Sequence, residues 1–129
     1  MSYYLAKKVS MPFEKALERV KEELQKEGFG VLTEIDVRET LKKKLDVDFR
    51  KYRILGACNP KFAHQALQEE ARIGLLLPCN VIVQESGDKD VVEVAAIDPA
   101  ASMQTVANPR LDGIALQVQA KLQKVIAAL

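Results

Sequence analysis

Residues 75–98, LLLPCNVIVQESGDKDVVEVAAID, decide the fold of this chain. Two apolar runs flank the polar segment Ser86-Gly87-Asp88, and the second run, Val91–Ile97, is rich in valine. Short apolar runs on both sides of a glycine-containing turn predict a β-hairpin. We therefore expect Leu75–Val83 to lead through Pro78 into one strand, and Val91–Ile97 to return antiparallel to it.

The rest of the chain alternates between predicted strands and helices. Asp36 and Glu39 form a capping-box pattern, and Asn59-Pro60 is a strong helix start. Because helices separate every strand pair except the hairpin, the sequence predicts an α+β fold. We expect one mainly antiparallel sheet, with helices packed on one face, in the order β-α-β-(α)-β-α-β-β-α. The further predicted strands are Tyr3–Val9, Val31–Val37 and Tyr52–Cys58, and in the second of these Val31, Thr33, Ile35 and Val37 share one parity. The helices are Pro12–Gly28, Asp36–Leu45, Asn59–Gly74 and a last one carrying Ile114 to Ile126, which follows a polar loop through Met103 and Asn108.

Length and charge narrow the class of protein. The chain has 129 residues and a net charge of +1, so we expect one α+β domain over residues 1–129 and no nucleic-acid partner. The basic cluster Lys42-Lys43-Lys44 has acidic neighbours and is typical of a solvated face. With no signal peptide and no apolar run long enough for a bilayer, we predict a cytoplasmic protein with reduced cysteines and no membrane partner.

The candidate site is the turn Gly56-Ala57-Cys58-Asn59-Pro60, where a predicted strand runs directly into a helix. A thiol just before a helix N-terminus lies near unpaired amide groups, which favour the thiolate. The second thiol, Cys79, is followed by Asn80 and repeats the Cys-Asn pair. We therefore predict Cys58, Asn59, Cys79 and Asn80 as ligand-binding candidates. The competing interpretation is that both cysteines pack as small buried hydrophobes.

Metal binding and catalysis have weaker support. Cys58, His64 and Cys79 would give three metal ligands, but their spacing matches no tight metal motif. A Cys58–His64 dyad is possible, although the spacing does not specify it. No glycine-rich phosphate loop follows a predicted strand, which argues against nucleotide binding. The sequence therefore predicts no particular cofactor or catalytic residue.

The chain resembles the family known as domain of unknown function 302, especially its small single-domain bacterial members. The resemblance is carried by residues 56–60 with Ala63, by Gly74-Leu75-Leu76-Leu77-Pro78-Cys79-Asn80-Val81, and by Ile97-Asp98-Pro99. It implies a single, mainly antiparallel sheet with helices on one face, and self-association into a homodimer. It supplies no established catalytic or binding residues.

Three functions remain, in order of preference. The first is a non-catalytic module that binds a small ligand or a metal at the Cys58-Asn59-Pro60 turn. The second is a redox or nucleophilic thiol enzyme that uses Cys58, with Cys79 as its partner. The third is a structural or regulatory homodimer without a ligand. The sequence leaves open whether the protein is an enzyme.

Overall fold

The computed structural model describes residues 2–129 and contains a five-stranded sheet in the order β1-β5-β4-β3-β2. Every neighbouring pair is antiparallel. The predicted α+β class and the antiparallel sheet are therefore confirmed. The strands are β1 Tyr4–Ser10, β2 Gly30–Asp36, β3 Tyr52–Cys58, β4 Cys79–Glu85 and β5 Val91–Ile97.

The helices follow the predicted order, with additional short elements near the C-terminus. A short helix and two 3-10 turns occupy the segment for which the sequence predicted a polar loop. A third 3-10 turn, Ile73–Leu76, precedes β4. The helices are α1 Phe13–Lys26, α2 Val37–Leu45, α3 Pro60–Glu69, α4 Pro99–Ser102 and α5 Asp112–Ala127, and the C-terminal 3-10 turns are Met103–Val106 and Pro109–Leu111.

The main core lies between the sheet and two helices. Helix α1 contacts β2, β4 and β5, and α5 contacts β1, β5 and α1. The apolar residues of α1 recur at helical spacing, so one stripe of that helix faces the sheet. Helix α2 contacts β2 and β3 but buries none of its residues. The fully buried side chains of this core include Val20, Leu24, Leu55, Val81, Val83, Val94 and Leu122.

Strand β2 departs from the predicted alternation. Val31 pairs with Ala57, whereas Thr33 pairs with Gly56, so the register shifts between Val31 and Thr33. The expectation that Val31, Thr33 and Ile35 share one face is therefore wrong. A β-bulge places Val31 on the side of the core and the two later residues on the opposite side.

Helix α3 is shorter than predicted. The sequence placed its end at Gly74, but it stops at Glu69, and Glu70 has an extended backbone. The side-chain amide of Asn108 donates a hydrogen bond to the Glu69 carbonyl oxygen at 3.1 Å. A distant loop thus satisfies a carbonyl group at the helix end, which local sequence patterns do not reveal.

A helix needs about 20 mainly apolar residues to cross a bilayer. Among residues 2–129, no helix combines the length and apolar composition needed to cross a bilayer.

Candidate functional site

A small cavity lies where β3 runs into α3. Its volume is about 30 Å³, which is room for one or two water molecules. The wall is mainly apolar and includes Phe29, Phe62, Pro78 and Val118. The cavity touches both groups of buried residues, the main core and a smaller cluster formed by α3, α5 and the segments before α5. It is therefore a packing gap between two parts of the interior.

The structure brings both cysteines to this cavity. Cys79 pairs with Ala57 across β3 and β4, so Cys58 is the next residue along the neighbouring strand. Both thiols are free, and both line the cavity. Sequence reasoning could not establish this proximity, because it depends on the register of β3 against β4.

The two thiols differ in their environments. Cys79 is buried, and burial, assisted by the nearby Cys58, raises the pKa of its thiol to about 11. Cys79 is therefore a neutral thiol near pH 7. Cys58 is half-buried and has no partner in a disulfide. The more accessible sulfur is thus the one at the start of α3.

Asn59 stands at the expected position but has a different role. Asn59 is the N-cap residue of α3, as predicted, but its side chain makes no capping hydrogen bond to the helix. Instead, the Asn59 amide donates to the Glu27 carbonyl oxygen at 3.2 Å. A Cβ atom on Gly28, whose φ is +86°, would lie 3.2 Å from that amide nitrogen. Asn59 therefore joins the end of α1 to the start of α3.

Asn80 lies away from the cavity, on the face of the sheet opposite α1 and α5. It pairs with Gly56 and is exposed. It lines an open groove of about 460 Å³ together with Tyr4, Tyr52 and Ile82. Of the four predicted ligand-binding residues, the structure groups Cys58, Asn59 and Cys79 and separates Asn80 from them.

His64 is also separated from the two thiols. It is exposed on α3 and does not line the cavity. Within residues 2–129, no cluster of three or more histidine, cysteine, aspartate or glutamate side chains is placed to hold a metal ion. The structure does not bring Cys58, His64 and Cys79 together as a ligand set.

Met103 lines the cavity and was missed by the sequence analysis. It lies in the segment that was predicted to be a polar loop, yet its side chain is only 8% exposed. The available sequence signal was a lone methionine among polar residues. Its burial results from packing against α3 and α5, which becomes visible only in the folded structure.

Asp98 has a structural explanation within its motif. Its carboxylate accepts hydrogen bonds from the Ala100 amide at 2.9 Å and from Gln119 Nε2 at 3.0 Å. It therefore begins α4 and ties the end of β5 to α5. The Ile97-Asp98-Pro99 pattern needs no further function to account for it.

Comparisons with known proteins agree with the resemblance found in the sequence. The family model described as "Domain of unknown function DUF302" matches residues 5–129. The crystal structure of an uncharacterized conserved DUF302 protein from Bacillus stearothermophilus superimposes with a TM-score of 0.90. It is 29% identical, and the match covers 98% of each chain. No curated protein shows significant similarity to the chain.

Proposed function

The chain belongs to the DUF302 family, and we propose that it is a non-catalytic binding module whose small ligand occupies the cavity beside the Cys58-Asn59-Pro60 turn. The observation that carries this proposal is the presence of two free thiols in the wall of one mainly apolar cavity. Sulfur side chains at the same cavity offer a ligand both apolar contact and coordination.

The environment of the thiols favours binding over chemistry. The raised pKa of Cys79 keeps its thiol protonated near pH 7, so Cys79 is a poor attacking group for resolving an oxidised Cys58. His64 does not line the cavity, so it does not serve there as a general base for Cys58. Among the residues that line the cavity, none is therefore an adjacent general base for Cys58.

Native mass spectrometry tests the binding proposal. The protein would be purified without chelator or reductant, as wild type, Cys58→Ser, Cys79→Ala and the control His64→Gln. We expect a bound mass increment in the wild type and the control, and its loss in both cysteine variants. A bare wild-type chain, or an increment unchanged in Cys58→Ser, would contradict the proposal. A chain lighter by two hydrogens would instead indicate a Cys58–Cys79 disulfide and favour the redox hypothesis.

We also propose that the sheet face opposite α1 and α5 joins two copies of this chain in a homodimer. This face carries the half-buried aliphatic side chains Ile54 and Ile82 and the exposed Tyr4. The groove on this face is lined by one charged side chain, Glu93, whose carboxylate accepts a hydrogen bond from Gln84 Nε2 at 2.9 Å. Apolar side chains of two sheets packed face to face can interdigitate.

The oligomeric state tests the homodimer. Sedimentation equilibrium should give a dimer for the wild type and a monomer for Ile82→Lys, which places a charge in the centre of the contact. Lys89→Ala, in the exposed hairpin turn, is the control and should leave the dimer intact. A wild-type monomer at high micromolar concentration would contradict this proposal without affecting the cavity.

A further inference from the structure

We propose that the cavity binds a soft monovalent metal ion, of which Cu(I) is the probe, through the sulfur atoms of Cys58, Cys79 and Met103. This inference rests on the proposed binding function and names its ligand. The three sulfur-containing side chains come from the end of β3, the start of β4 and a 3-10 turn before α5. They line one cavity, although 45 residues of sequence separate the first from the last.

The ligand types select the class of metal. Thiolate and thioether sulfurs prefer soft ions such as Cu(I), whereas Mg²⁺ and Ca²⁺ require oxygen ligands. No carboxylate or histidine lines this cavity. Structural zinc sites use four ligands from cysteine, histidine or carboxylates, and no cluster of even three is placed for a metal within residues 2–129. A set of two thiols and one thioether therefore favours a soft ion of low coordination number.

The size of the cavity supports an ion over an organic molecule. A volume of about 30 Å³ is far below the roughly 300–1,000 Å³ of typical small-molecule pockets. One ion can fill it and replace the missing contacts between the two hydrophobic clusters. Apart from Asn59, the side chains of the wall offer the ion no oxygen ligand.

The binding step balances in protons and charge. Cys58 and Cys79 each release their thiol proton to solvent, and the two thiolates and the Met103 thioether each give a lone pair to Cu(I). No atom is oxidised or reduced, and the occupied site carries one net negative charge. Cys58 directly precedes the turn into α3, whose first-turn amides receive no cap from Asn59. These amides and the helix dipole favour negative charge at that end.

An anaerobic titration of Cu(I) against a chromophoric Cu(I) chelator tests the inference. We expect one ion per chain, with affinity that rises with pH because protons are released. Cys58→Ser should weaken binding at least about 100-fold, since even outer-shell partners of a metal are worth roughly 10- to 100-fold. Met103→Leu removes the sulfur at nearly constant volume and should weaken binding about 10-fold.

A matched control and a spectroscopic readout separate ligation from folding. Met11→Leu makes the same change at a half-buried methionine outside the cavity and should leave Cu(I) affinity unchanged. X-ray absorption of the Cu(I) form should show three sulfur neighbours in the wild type and two in Met103→Leu. An unchanged sulfur count in Met103→Leu would remove Met103 from the ligand set.

Failure of this inference is distinguishable from failure of the binding function. Unchanged chelator absorbance, or Zn²⁺ binding as tight as Cu(I), would overturn the soft-metal assignment. If native mass spectrometry then shows an organic increment that Cys58→Ser loses, the binding function stands with another ligand. If no increment and no Cu(I) binding are found, both are overturned.

Discussion

Neighbouring residues of β3 lie on two sides of the sheet that differ in what covers them. Leu55 and Ala57 face α1 and α5 and are 0% and 1% exposed, whereas Ile54 lies on the opposite face and is half-buried. The same alternation separates Val81 from Asn80 on β4. Successive residues of a strand point to opposite faces of the sheet. Two aliphatic side chains that are adjacent in sequence, such as Leu55 and Ile54, therefore differ in how much their burial contributes to the free energy of folding.

The two thiols show the same difference where the covered face ends. Cys79 belongs to the main core, while Cys58 is half-buried at the turn into α3. Both nevertheless line the cavity, because β3 leaves the sheet there. The cavity is therefore lined both by a cysteine of the buried core, Cys79, and by the more accessible Cys58.

The largest expected difference in the free energy of unfolding is between substitutions of two adjacent residues that lie on opposite faces of the sheet. Leu55→Ala should lower the free energy of unfolding by about 2–5 kcal/mol, because it opens a cavity in a filled core. At protein concentrations low enough to keep the chain monomeric, Ile54→Ala should cost no more than about 1 kcal/mol, since its side chain is only half-buried in the single chain. Urea denaturation of both variants measures the difference. Equal losses at that concentration would mean that the open face, the one opposite α1 and α5, is covered even when the chain is monomeric.

The second comparison is between the thiols. Because the pKa of Cys79 is about 11 instead of 9.0, its thiolate fraction near neutral pH falls about 100-fold. We therefore expect iodoacetamide to modify Cys58 at least about 10 times faster than Cys79 in the native protein, because the greater nucleophilicity of the Cys79 thiolate offsets only part of its smaller fraction and burial slows it further. Peptide mass mapping over time measures both rates, and the unfolded chain is the control. Similar native rates would show that the cavity opens readily.

The third prediction concerns Gly56, which lies on the open face close to the side chains of Thr33 and Pro78. A Cβ atom at Gly56 would clash with Thr33 Oγ1 and lie 2.8 Å from Pro78 Cγ. Gly56→Ala should therefore destabilise the protein by about 1–3 kcal/mol, as overpacking does. Thermal denaturation measures this loss.

Two further variants test whether the clash is the cause. Thr33→Ala in the Gly56→Ala background should recover part of the lost stability, because it removes the Thr33 hydroxyl. Gly30→Ala is the control, since a Cβ atom there has no neighbour within 4 Å. No recovery in the double variant would assign the loss to Pro78 or to the backbone.

The smallest effect lies at the β2 edge of the covered face, where ion pairs replace apolar packing. Glu34 pairs with Lys21 of α1 at 2.7 Å and with Arg53 of β3. The hydrogen bond from Lys21, with Arg53, holds the pKa of Glu34 below its ordinary 4.5. Glu34→Gln should therefore destabilise the protein at pH 7 by about 1 kcal/mol or less, because these groups remain partly exposed.

The pH dependence of the stability difference between wild type and Glu34→Gln identifies its cause. A lowered folded-state pKa stabilises the protein above the unfolded-state pKa and loses this contribution as pH falls through the folded value. The gap between wild type and Glu34→Gln should thus close below pH 4.5. Glu22→Gln, on the exposed side of α1, is the control. A gap independent of pH would mean that packing of the side chain, rather than its charge, is responsible.

Local signals predicted most of the elements. The bounds of β3 and β5 agree with the sequence, and the Asp36 carboxylate accepts from the Glu39 amide as its pattern indicates. These features depend on residues a few positions apart. The bulge in β2 and the early end of α3 were missed, because they depend on cross-strand register and on Asn108, which is distant in sequence.

The candidate site also has one part that local sequence predicted and another part that depends on the tertiary fold. The turn into α3 placed Cys58 correctly before a helix, and this followed from Asn59 and Pro60 alone. Cys79 and Met103 line the same cavity as Cys58, whereas Asn80 and His64 do not. This grouping depends on strand register and on the packing of the segment around Met103, which has no recognisable sequence pattern.

The sequence by itself determined the α+β order, the hairpin and the thiol at a helix start, since periodicity and turn chemistry act over short distances. The tertiary structure alone decided which sulfur-containing residues line one cavity, which face of the sheet stays open and how strongly Cys79 holds its proton. Those properties depend on burial and on contacts between residues far apart in the chain. Each arises only when the sheet and helices close around a shared interior.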